Sequence, residues 1–457
     1  MADGDACPPV AGDDDDAGRV GVGPDDVHVD IAIVGDGLVG RPLALALAGR
    51  GWRVALIDRQ VRDPARVASR DPTLSIDPLE ERCTALSIAA RDWLQAEGLW
   101  DETAARAESI RRVRVSHRGH FGATRLQADE LGEQALGATI ENRCLIDSWA
   151  ASLRTRIESG RIRHVRGAMP RAVSLSGDTR CIDLQDEAGQ ALARVRAGLL
   201  IAADGAGSRT GELLGIQTTR HDYRQTALLC TVRLDRDHDG LAIERFTAEG
   251  PLALLPRPDR HLNVVACLSP ERAIALQGLS AAGWLAELNR LAPVRLGRMI
   301  AAGPRLAVPL QRIEAQRTQA ARALLLGNAA RLLHPVAGQG YNLALRDVAA
   351  LVRLIGPGGP GGTEGGGPFV TVDPGAPALI DAFIAARRPD RRRTVRLTDA
   401  LARTFRGRFA PLGHARAAGL VALDAIGPAR RAFARVAMGR QIDGAGGSTP
   451  PATRRRS

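Results

Sequence analysis

The sequence predicts an α/β fold: a mainly parallel sheet, an inserted sheet-rich domain and C-terminal helices. First, an apolar β-branched run at Asp30–Val34 precedes the run L-A-L-A-L-A and then V-A-L-I-D, which ends at Asp58. This strand-helix-strand order is typical of parallel sheets. Second, short alternating segments between 111 and 314 predict a further sheet. Third, the Ala-, Leu- and Arg-rich stretch 377–440 has helical periodicity.

Composition excludes several classes of protein. The 457 residues are 45% hydrophobic and 25% charged, the balance of a globular protein with a sizeable core. Aromatic residues make up only 3%, too few for the interleaved basic and aromatic surface of a single-strand binder. We therefore expect no nucleic-acid partner.

The basic charge is concentrated at one end of the chain. The net charge is +11, and every one of the 62 basic residues is Arg. The stretch 377–457 holds 17 Arg against 5 Asp. This pattern fits either attraction to an anionic surface or a solvated helix face in an Arg-rich protein.

Cysteine usage and the N-terminus indicate the compartment. The six Cys are scattered without C-x-x-C pairs or nearby His, so we expect neither a metal site nor a disulfide framework. The first residues lack a basic and then apolar signal sequence, and no run of ~18 apolar residues follows. We expect a cytoplasmic protein without a membrane span.

The first motif is Gly35-Asp36-Gly37-Leu38-Val39-Gly40, between the first strand and its helix. Gly35 permits a tight turn, Gly37 lets a pyrophosphate approach the backbone, and Gly40 allows close helix-strand packing. Asp58, about twenty residues further on, is placed to bind a ribose hydroxyl. The pattern predicts a Rossmann-like dinucleotide site; the alternative is a tight turn in another α/β protein. A nicotinamide dehydrogenase would also satisfy it.

Two later segments distinguish between these interpretations. One is L-L-I-A-A-D-G-A-G-S-R-T-G-E-L-L-G at 199–215, and the other is L-L-L-G-N-A-A-R-L-L-H-P-V-A-G-Q-G-Y-N-L-A-L-R-D at 324–347. With the first motif they resemble the three fingerprints of the class A flavoprotein aromatic hydroxylases. The last segment is similar to that of the ubiquinone-biosynthesis hydroxylases, in particular the 2-polyprenyl-6-methoxyphenol hydroxylase branch. The segments E-R-F-T at 244–247 and G-P-L-A-L-L-P at 250–256 support the resemblance.

The resemblance implies a glutathione-reductase-type FAD-binding domain and tightly bound FAD. Asp58 stands where the family more often has Glu, and Asn328 where Asp is common. No metal is implied, and the catalytic residues are not identified. The implied FAD-binding residues lie in the three fingerprints and beside them: Gly35, Gly37, Gly40, Asp58, Arg82, Asn142, Asp204, Gly205, Gly327, Asn328, Gly338, Gln339, Gly340 and Asn342.

The implied domain organisation is discontinuous. The FAD-binding domain would comprise 28–110, 185–216 and 315–355, with the substrate domain in 111–184 and 217–314. Residues 1–27 are predicted to form an acidic disordered tail, and 356–376 a Gly/Pro linker. The C-terminal helices are expected at 377–440 and a second disordered tail at 441–457.

The activity implied is hydroxylation of the phenol ring of a polyprenylated ubiquinone precursor. Reduction by NADH or NADPH, reaction with O2 and a flavin C4a-hydroperoxide would supply the oxygen atom. One alternative is another ring position or a soluble aromatic substrate, and a second is a non-catalytic flavin-binding scaffold. Expected partners are the polyprenyl phenol, the inner face of the membrane or a quinone-biosynthesis complex, and a second copy of the chain.

Two features allow two interpretations each. His334 is either a proton relay or flavin contact, or a turn residue hydrogen-bonded to backbone. The arginines within 387–393 either contact lipid head groups or a partner, or form ion pairs with Asp390 on the helix surface.

Overall fold

The structure is a computed structural model, which describes residues 26–60, 83–104, 106–358, 372–404 and 410–440. The predicted tails, apart from residues 26 and 27, lie outside these ranges, as do Arg82 and most of the predicted linker. Val27, the last residue of the predicted acidic tail, is the first residue of a strand.

The first sheet has eight strands. Its parallel part has the order β19-β11-β1-β2-β8, with β9, β10 and β18 added antiparallel. The strands are β1 (Val27–Val34), β2 (Val54–Asp58), β8 (Ile162–Arg166), β9 (Met169–Ser176), β10 (Thr179–Gln185), β11 (Ala191–Ala202), β18 (Gln319–Ala320) and β19 (Ala323–Leu325).

The second sheet has nine strands and is mostly antiparallel, in the order β20-β17-β12-β15-β14-β13-β5-β6, with β16 beside β12. These are β5 (Arg112–His117), β6 (Ala123–Gln127), β12 (Thr218–Leu234), β13 (Leu241–Phe246), β14 (Pro251–Arg257), β15 (His261–Leu268), β16 (Met299–Ala302), β17 (Leu306–Ala315) and β20 (Arg331–Leu332). A three-stranded sheet contains β3 (Cys83–Ser87), β4 (Glu108–Ile110) and β7 (Gly137–Glu141).

Helices cover the first sheet and also form the C-terminal part of the described chain. They are α1 (Gly40–Gly49), α2 (Ile88–Ala96), α3 (Asp101–Ala104), α4 (Asn142–Ser148), α5 (Ala150–Glu158), α6 (Arg209–Leu213), α7 (Pro270–Gln277), α8 (Ala281–Leu291), α9 (Gln339–Ile355), α10 (Pro377–Thr404), α11 (Ala410–Ala425) and α12 (Gly427–Ala437). In the parts of the chain that the structure describes, no helix is long and apolar enough to cross a membrane.

The first sheet is buried on both faces, which explains the near-continuous apolar runs of its strands. Ile31 and Ile33 of β1 pack into one apolar cluster with Leu43 and Leu47 of α1. Ala32 and Val34 point the other way and join a second cluster. The alternation along β1 therefore fills two cores.

The segment 111–184, expected within the substrate domain, is divided between the sheets. Its β5 and β6 belong to the second sheet, whereas β8, β9 and β10 belong to the first. β8 pairs parallel with β2, and its Ile162 and Val165 are buried in opposite cores of the first sheet. This burial places the strand in the first sheet, where both of its apolar side chains leave water.

Candidate active site

The glycine-rich turn after β1 requires glycine at two of its three positions. Gly35 has φ +111°, and a Cβ built on it would lie 2.4 Å from the carbonyl oxygen of Ala203. A Cβ on Gly40 would lie 1.8 Å from the carbonyl oxygen of Gly35. Around the Cβ position of Gly37 no atom lies within 4 Å. Gly35 and Gly40 are thus required by packing, while Gly37 leaves the backbone open to a ligand.

Asp58 ends β2 directly beside this turn. Its Oδ2 accepts a 2.6 Å hydrogen bond from the backbone N–H of Asp36, and its Oδ1 accepts one of 2.7 Å from Gln60 N–H. The carboxylate therefore fixes the turn and lies at the carboxyl end of the strand, where ligands bind in open α/β sheets.

A buried ionic cluster that was not predicted from the sequence contacts the turn through Asp36. Arg41 Nε donates to Asp36 Oδ1 at 2.7 Å, and His164 Nε2 lies 3.2 Å from Asp36 Oδ2. Burial opposes ionisation of Asp36, but the hydrogen bonds from Arg41 and His164 outweigh it and hold its pKa below the usual range. The only sequence signal was an acid and a base five positions apart; His164 is brought in by the pairing of β8 with β2.

The second fingerprint forms a turn at the end of β11. Asp204 Oδ1 accepts a 2.5 Å hydrogen bond from the Ser208 hydroxyl, and its Oδ2 accepts from the N–H and hydroxyl of Thr210 at 3.0 and 2.9 Å. Gly205 follows with φ +89°. Since a Cβ on Gly35 would lie 3.0 Å from the backbone nitrogen of Asp204, the two turns are in direct contact.

The third fingerprint also meets the first turn. Gly327 has φ +59°, and a Cβ on it would lie 2.9 Å from a methyl carbon of Val39. The Asn328 side chain is exposed beside it. Further along, the Tyr341 hydroxyl donates a 2.9 Å hydrogen bond to the carbonyl oxygen of Leu38. The segment 327–342 is thus attached to the start of α1 at two points.

Asn342 holds the glycine-rich start of α9 in place with its side chain. Its Nδ2 donates to the carbonyl oxygens of Ala85 and Gly338, and its Oδ1 accepts from Ser87 N–H, each at 2.8 Å. Gly338 itself is left-handed, with φ +58°. All three side-chain bonds go to backbone of the chain, so Asn342 positions this segment.

The remaining predicted positions are distributed around this assembly. Asn142 begins α4, and its Oδ1 accepts a 2.5 Å hydrogen bond from the hydroxyl of Thr84 on β3. Gln339 is buried, and no atom lies within 4 Å of a Cβ built on Gly340. Arg82 lies outside the described residues.

Two helices begin at these turns, and neither N-terminus has a side-chain cap. α1 and α9 begin without a side-chain cap and without an acidic residue in the first turn. α4, α5 and α12 are uncapped as well, whereas α2, α6, α7 and α8 are each capped by a serine hydroxyl. What distinguishes α1 and α9 is that they begin at the glycine-rich turns. Uncapped N-terminal amides attract phosphate and other electron-rich groups. The residues present therefore fit a flavin dinucleotide.

His334 forms a link between the third fingerprint and the second sheet. Its Nδ1 accepts a 3.1 Å hydrogen bond from Val336 N–H, and its Nε2 lies 3.3 Å from Gln225 Oε1. The ring of Tyr223 approaches it edge-on at 4.9 Å between centroids. The first of these bonds matches the turn interpretation, and the contact with β12 adds a role in joining the sheets.

The arginines in 387–393 divide into two groups. Arg387 and Arg391 are buried and pair with Asp347 of α9 at 2.6 and 3.0 Å, and Arg387 also pairs with Asp390. Arg388, Arg392 and Arg393 are exposed. The expected ion pair with Asp390 is formed by Arg387, but these two side chains are largely buried and do not lie on the helix surface. The buried Asp347 is a further partner.

A groove of about 980 Å³ runs between β17–β18 and α10. Arg388 and Arg392 line it together with Arg396, one helical turn apart. None of the predicted FAD-binding residues is among its lining residues. The groove is therefore separate from the assembly of glycine-rich turns.

Comparison with known proteins agrees with this geometry. Residues 28–357 match the family described as FAD binding domain. The chain is 36% identical over 437 residues to "Ubiquinone hydroxylase UbiL" of Rhodospirillum rubrum, covering 94% of each chain. It is 34% identical to the "3-demethoxyubiquinol 3-hydroxylase" of Escherichia coli over 330 residues, 71% of this chain and 79% of the relative.

Solved structures show the same fold. The p-nitrophenol 4-monooxygenase PnpA of Pseudomonas putida superposes with a TM-score of 0.69 at 15% identity, covering 91% of this chain and all of that one. The expected α/β fold with Rossmann-type FAD binding is confirmed. The chain belongs to the family of FAD-dependent hydroxylases of ubiquinone biosynthesis and is an aromatic monooxygenase.

Proposed function

We propose that the protein hydroxylates the phenol ring of a polyprenylated ubiquinone precursor of the 2-polyprenyl-6-methoxyphenol type, consuming NADH or NADPH and O2. The observation that carries the proposal is the contact of three glycine-rich turns at the carboxyl ends of β1 and β11, beside two uncapped helix N-termini. The relatives whose names specify ubiquinone hydroxylation support the choice of ring.

Each turn has a separate task in binding the cofactor. The amides of the Gly35–Gly40 turn and the start of α1 would hold the pyrophosphate, and Asp58 the ribose. The Gly327–Asn328 turn would contact the pyrophosphate and ribityl chain. The start of α9 at Gly338 would face the flavin ring. Held there, FAD would supply the redox chemistry, for which NADH or NADPH would be the reductant and O2 the source of the oxygen atom transferred to the ring.

The substrate would lie between this assembly and the second sheet, where the chain provides a largely apolar wall. Val336 of the third fingerprint packs in one cluster with Phe246 of β13 and Leu310 of β17. An apolar pocket excludes water from the reacting ring and accepts a prenyl chain. The membrane, in which such a substrate dissolves, is the proposed place of encounter.

The test combines cofactor and product analysis. Purified protein should carry FAD in a ratio of about one to one, oxidise NADH or NADPH faster in the presence of a prenyl phenol, and yield the ring-hydroxylated product. Failure to bind FAD, even after reconstitution, would overturn the proposal. The lipid extract of a deletion strain should accumulate the unhydroxylated prenyl phenol; accumulation of an intermediate blocked at another ring position would assign that position instead.

A further inference from the structure

Glu244 lies in the middle of one face of the second sheet. This face is turned toward the start of α9. Ala242, Glu244 and Phe246 alternate along β13 and therefore share one face. Phe246 clusters with Val336 of the third fingerprint. Ala242 clusters with Ala85, whose methyl carbon would be 3.7 Å from a Cβ on Gly338. Glu244 lies between these two contacts, opposite the segment 336–338.

The two ladder neighbours of Glu244 provide no counter-charge. Its neighbours across the ladder are Val115 of β5 and Ala253 of β14, both apolar. Oε1 is buried and has no hydrogen-bond partner among the described residues. A buried, unbonded carboxylate oxygen is costly and rare in a native protein. Burial raises the pKa of Glu244 to about 7.

Several other titratable groups belong to the same face and its cluster. They are His117 on β5, Cys267 on β15, Tyr223 on β12, His334 in the third fingerprint, and Asp399 on α10, which accepts from the Tyr223 hydroxyl. Burial, and secondly the charge of Glu244, raise the pKa of the Cys267 thiol. Since Oε1 of Glu244 accepts no hydrogen bond from the described residues, it keeps the capacity to accept one from a substrate.

We propose that Glu244 accepts the phenolic proton of the aromatic substrate. The inference rests on the proposed function. In this step the substrate O–H bond breaks, the proton moves to the Glu244 carboxylate, and the electron pair stays on the phenolate oxygen. Delocalisation of that pair makes the ring carbon ortho or para to the oxygen nucleophilic toward the transferred oxygen atom. Glu244 then returns the proton to water.

The choice of residue follows from proton-transfer chemistry. A base is most effective when its pKa lies near the working pH, so that it is ionised yet still basic. An ordinary Glu is a weak acceptor for a phenol. In the apolar setting of Val115 and Ala253, Glu244 is a stronger one. This role also explains why an acid whose Oε1 has no hydrogen bond among the described residues is retained between Val115 and Ala253.

The experiment compares Glu244→Gln with Glu244→Asp and with Glu249→Gln, an acid in the turn between β13 and β14. For the wild type, kcat/KM should rise with pH along an acid limb near pH 7. Glu244→Gln should lose this limb and about 100-fold in kcat/KM, with FAD content unchanged. Glu244→Asp should regain part of the rate, and Glu249→Gln should match the wild type.

A second measurement does not depend on turnover. The absorbance difference between phenol and phenolate is recorded for a chromogenic phenol bound to the oxidised holoenzyme. Phenolate should form at lower pH on the wild type than on Glu244→Gln. Identical ionisation and identical pH profiles in both would overturn the role of Glu244. A wild type that ionises the bound phenol without hydroxylating it would overturn the proposed function alone.

Discussion

The backbone N–H of Asp36 donates a 2.6 Å hydrogen bond to Oδ2 of Asp58, so the end of β2 holds the glycine-rich turn that follows β1. The carboxylate proposed to bind the ribose is thereby also a structural support of the turn proposed to bind the pyrophosphate. Loss of this carboxylate should thus affect both halves of the adenosine site.

Asp58→Ala should weaken FAD binding by about 10-fold or more, because a hydrogen bond to a charged group contributes about 1.5–3 kcal/mol. FAD titration of the apoprotein, followed by quenching of flavin fluorescence, measures the change. Asp30→Ala removes an acid at the start of β1 that pairs with Arg53 and should leave the affinity unchanged. Equal affinity of the wild type and Asp58→Ala would contradict the role assigned to Asp58.

Gly40→Ala should affect folding, whereas Gly37→Ala should affect cofactor binding. A Cβ on Gly40 would lie 1.8 Å from the Gly35 carbonyl oxygen, so α1 must move away from β1. Gly40→Ala should lower the melting temperature by several degrees or prevent folding, since repair of such overpacking costs about 1–3 kcal/mol. Gly37→Ala meets no atom within 4 Å and should fold normally but bind FAD more weakly. Thermal unfolding of the apoproteins and FAD titration separate the two effects.

Sequence patterns predicted the parts of the site that depend on local geometry. The glycines at 35, 327 and 338, each placed by the sequence in a turn or glycine-rich loop, have positive φ. The order strand-turn-helix was visible because each element is encoded within a few residues. The FAD-binding roles of the individual residues stay predictions.

Contacts between distant segments could not be predicted from the sequence. β8 joins the first sheet only through its pairing with β2, and that register brings His164 to Asp36. Likewise, nothing in the sequence indicates that Asp347 on α9 meets Arg387 on α10. Such pairs depend on how helices and strands pack, and periodicity within one element carries no information about its partner.

Asp347→Asn should destabilise the protein strongly. Asp347 is 2% exposed and accepts hydrogen bonds from Arg387 and Arg391 at 2.6 and 3.0 Å. Removing its charge takes from the buried Arg391 guanidinium its carboxylate partner and leaves Arg387 to pair with Asp390; breaking a buried ion pair typically costs about 3–5 kcal/mol. Urea unfolding measures the change. Asp381→Asn, at an exposed position near the start of α10, is the matched control. A loss below about 1 kcal/mol would show that the ion pairs contribute little.

The exposed arginines of α10 should bind anionic membranes. Arg388, Arg392 and Arg396 lie on one side of the helix and are exposed. Replacing all three with Gln should weaken binding to vesicles containing phosphatidylglycerol by about 100-fold, at about 1 kcal/mol per charge. Cosedimentation at low and high salt tests this. As a control, replacing the exposed Arg154, Arg163 and Arg171 removes the same charge elsewhere. Equal losses of vesicle binding in both triple variants would show that only the net charge of the protein matters and not the position of these arginines.

Glu244→Gln should stabilise the protein at neutral and alkaline pH. Burial raises the pKa of Glu244 from 4.5 to about 7, so the folded state disfavours its charged form. A raised folded pKa contributes stability that is complete below the unfolded pKa and is lost as pH rises through the folded one. In the wild type this loss spans pH 4.5 to about 7. The amide has no such loss.

The advantage of the Glu244→Gln variant should therefore be small near pH 4.5, grow across that window and level off above pH 7, at about 3 kcal/mol. Urea unfolding of the FAD-free proteins at pH 5 and pH 8 measures both ends. A variant that is less stable than the wild type at pH 8 would mean that the carboxylate has a favourable partner in the folded state. Combined with a loss of turnover, a gain in stability would show that Glu244 is retained for its chemistry at the expense of stability, because a residue kept only for packing would not be both destabilising and required.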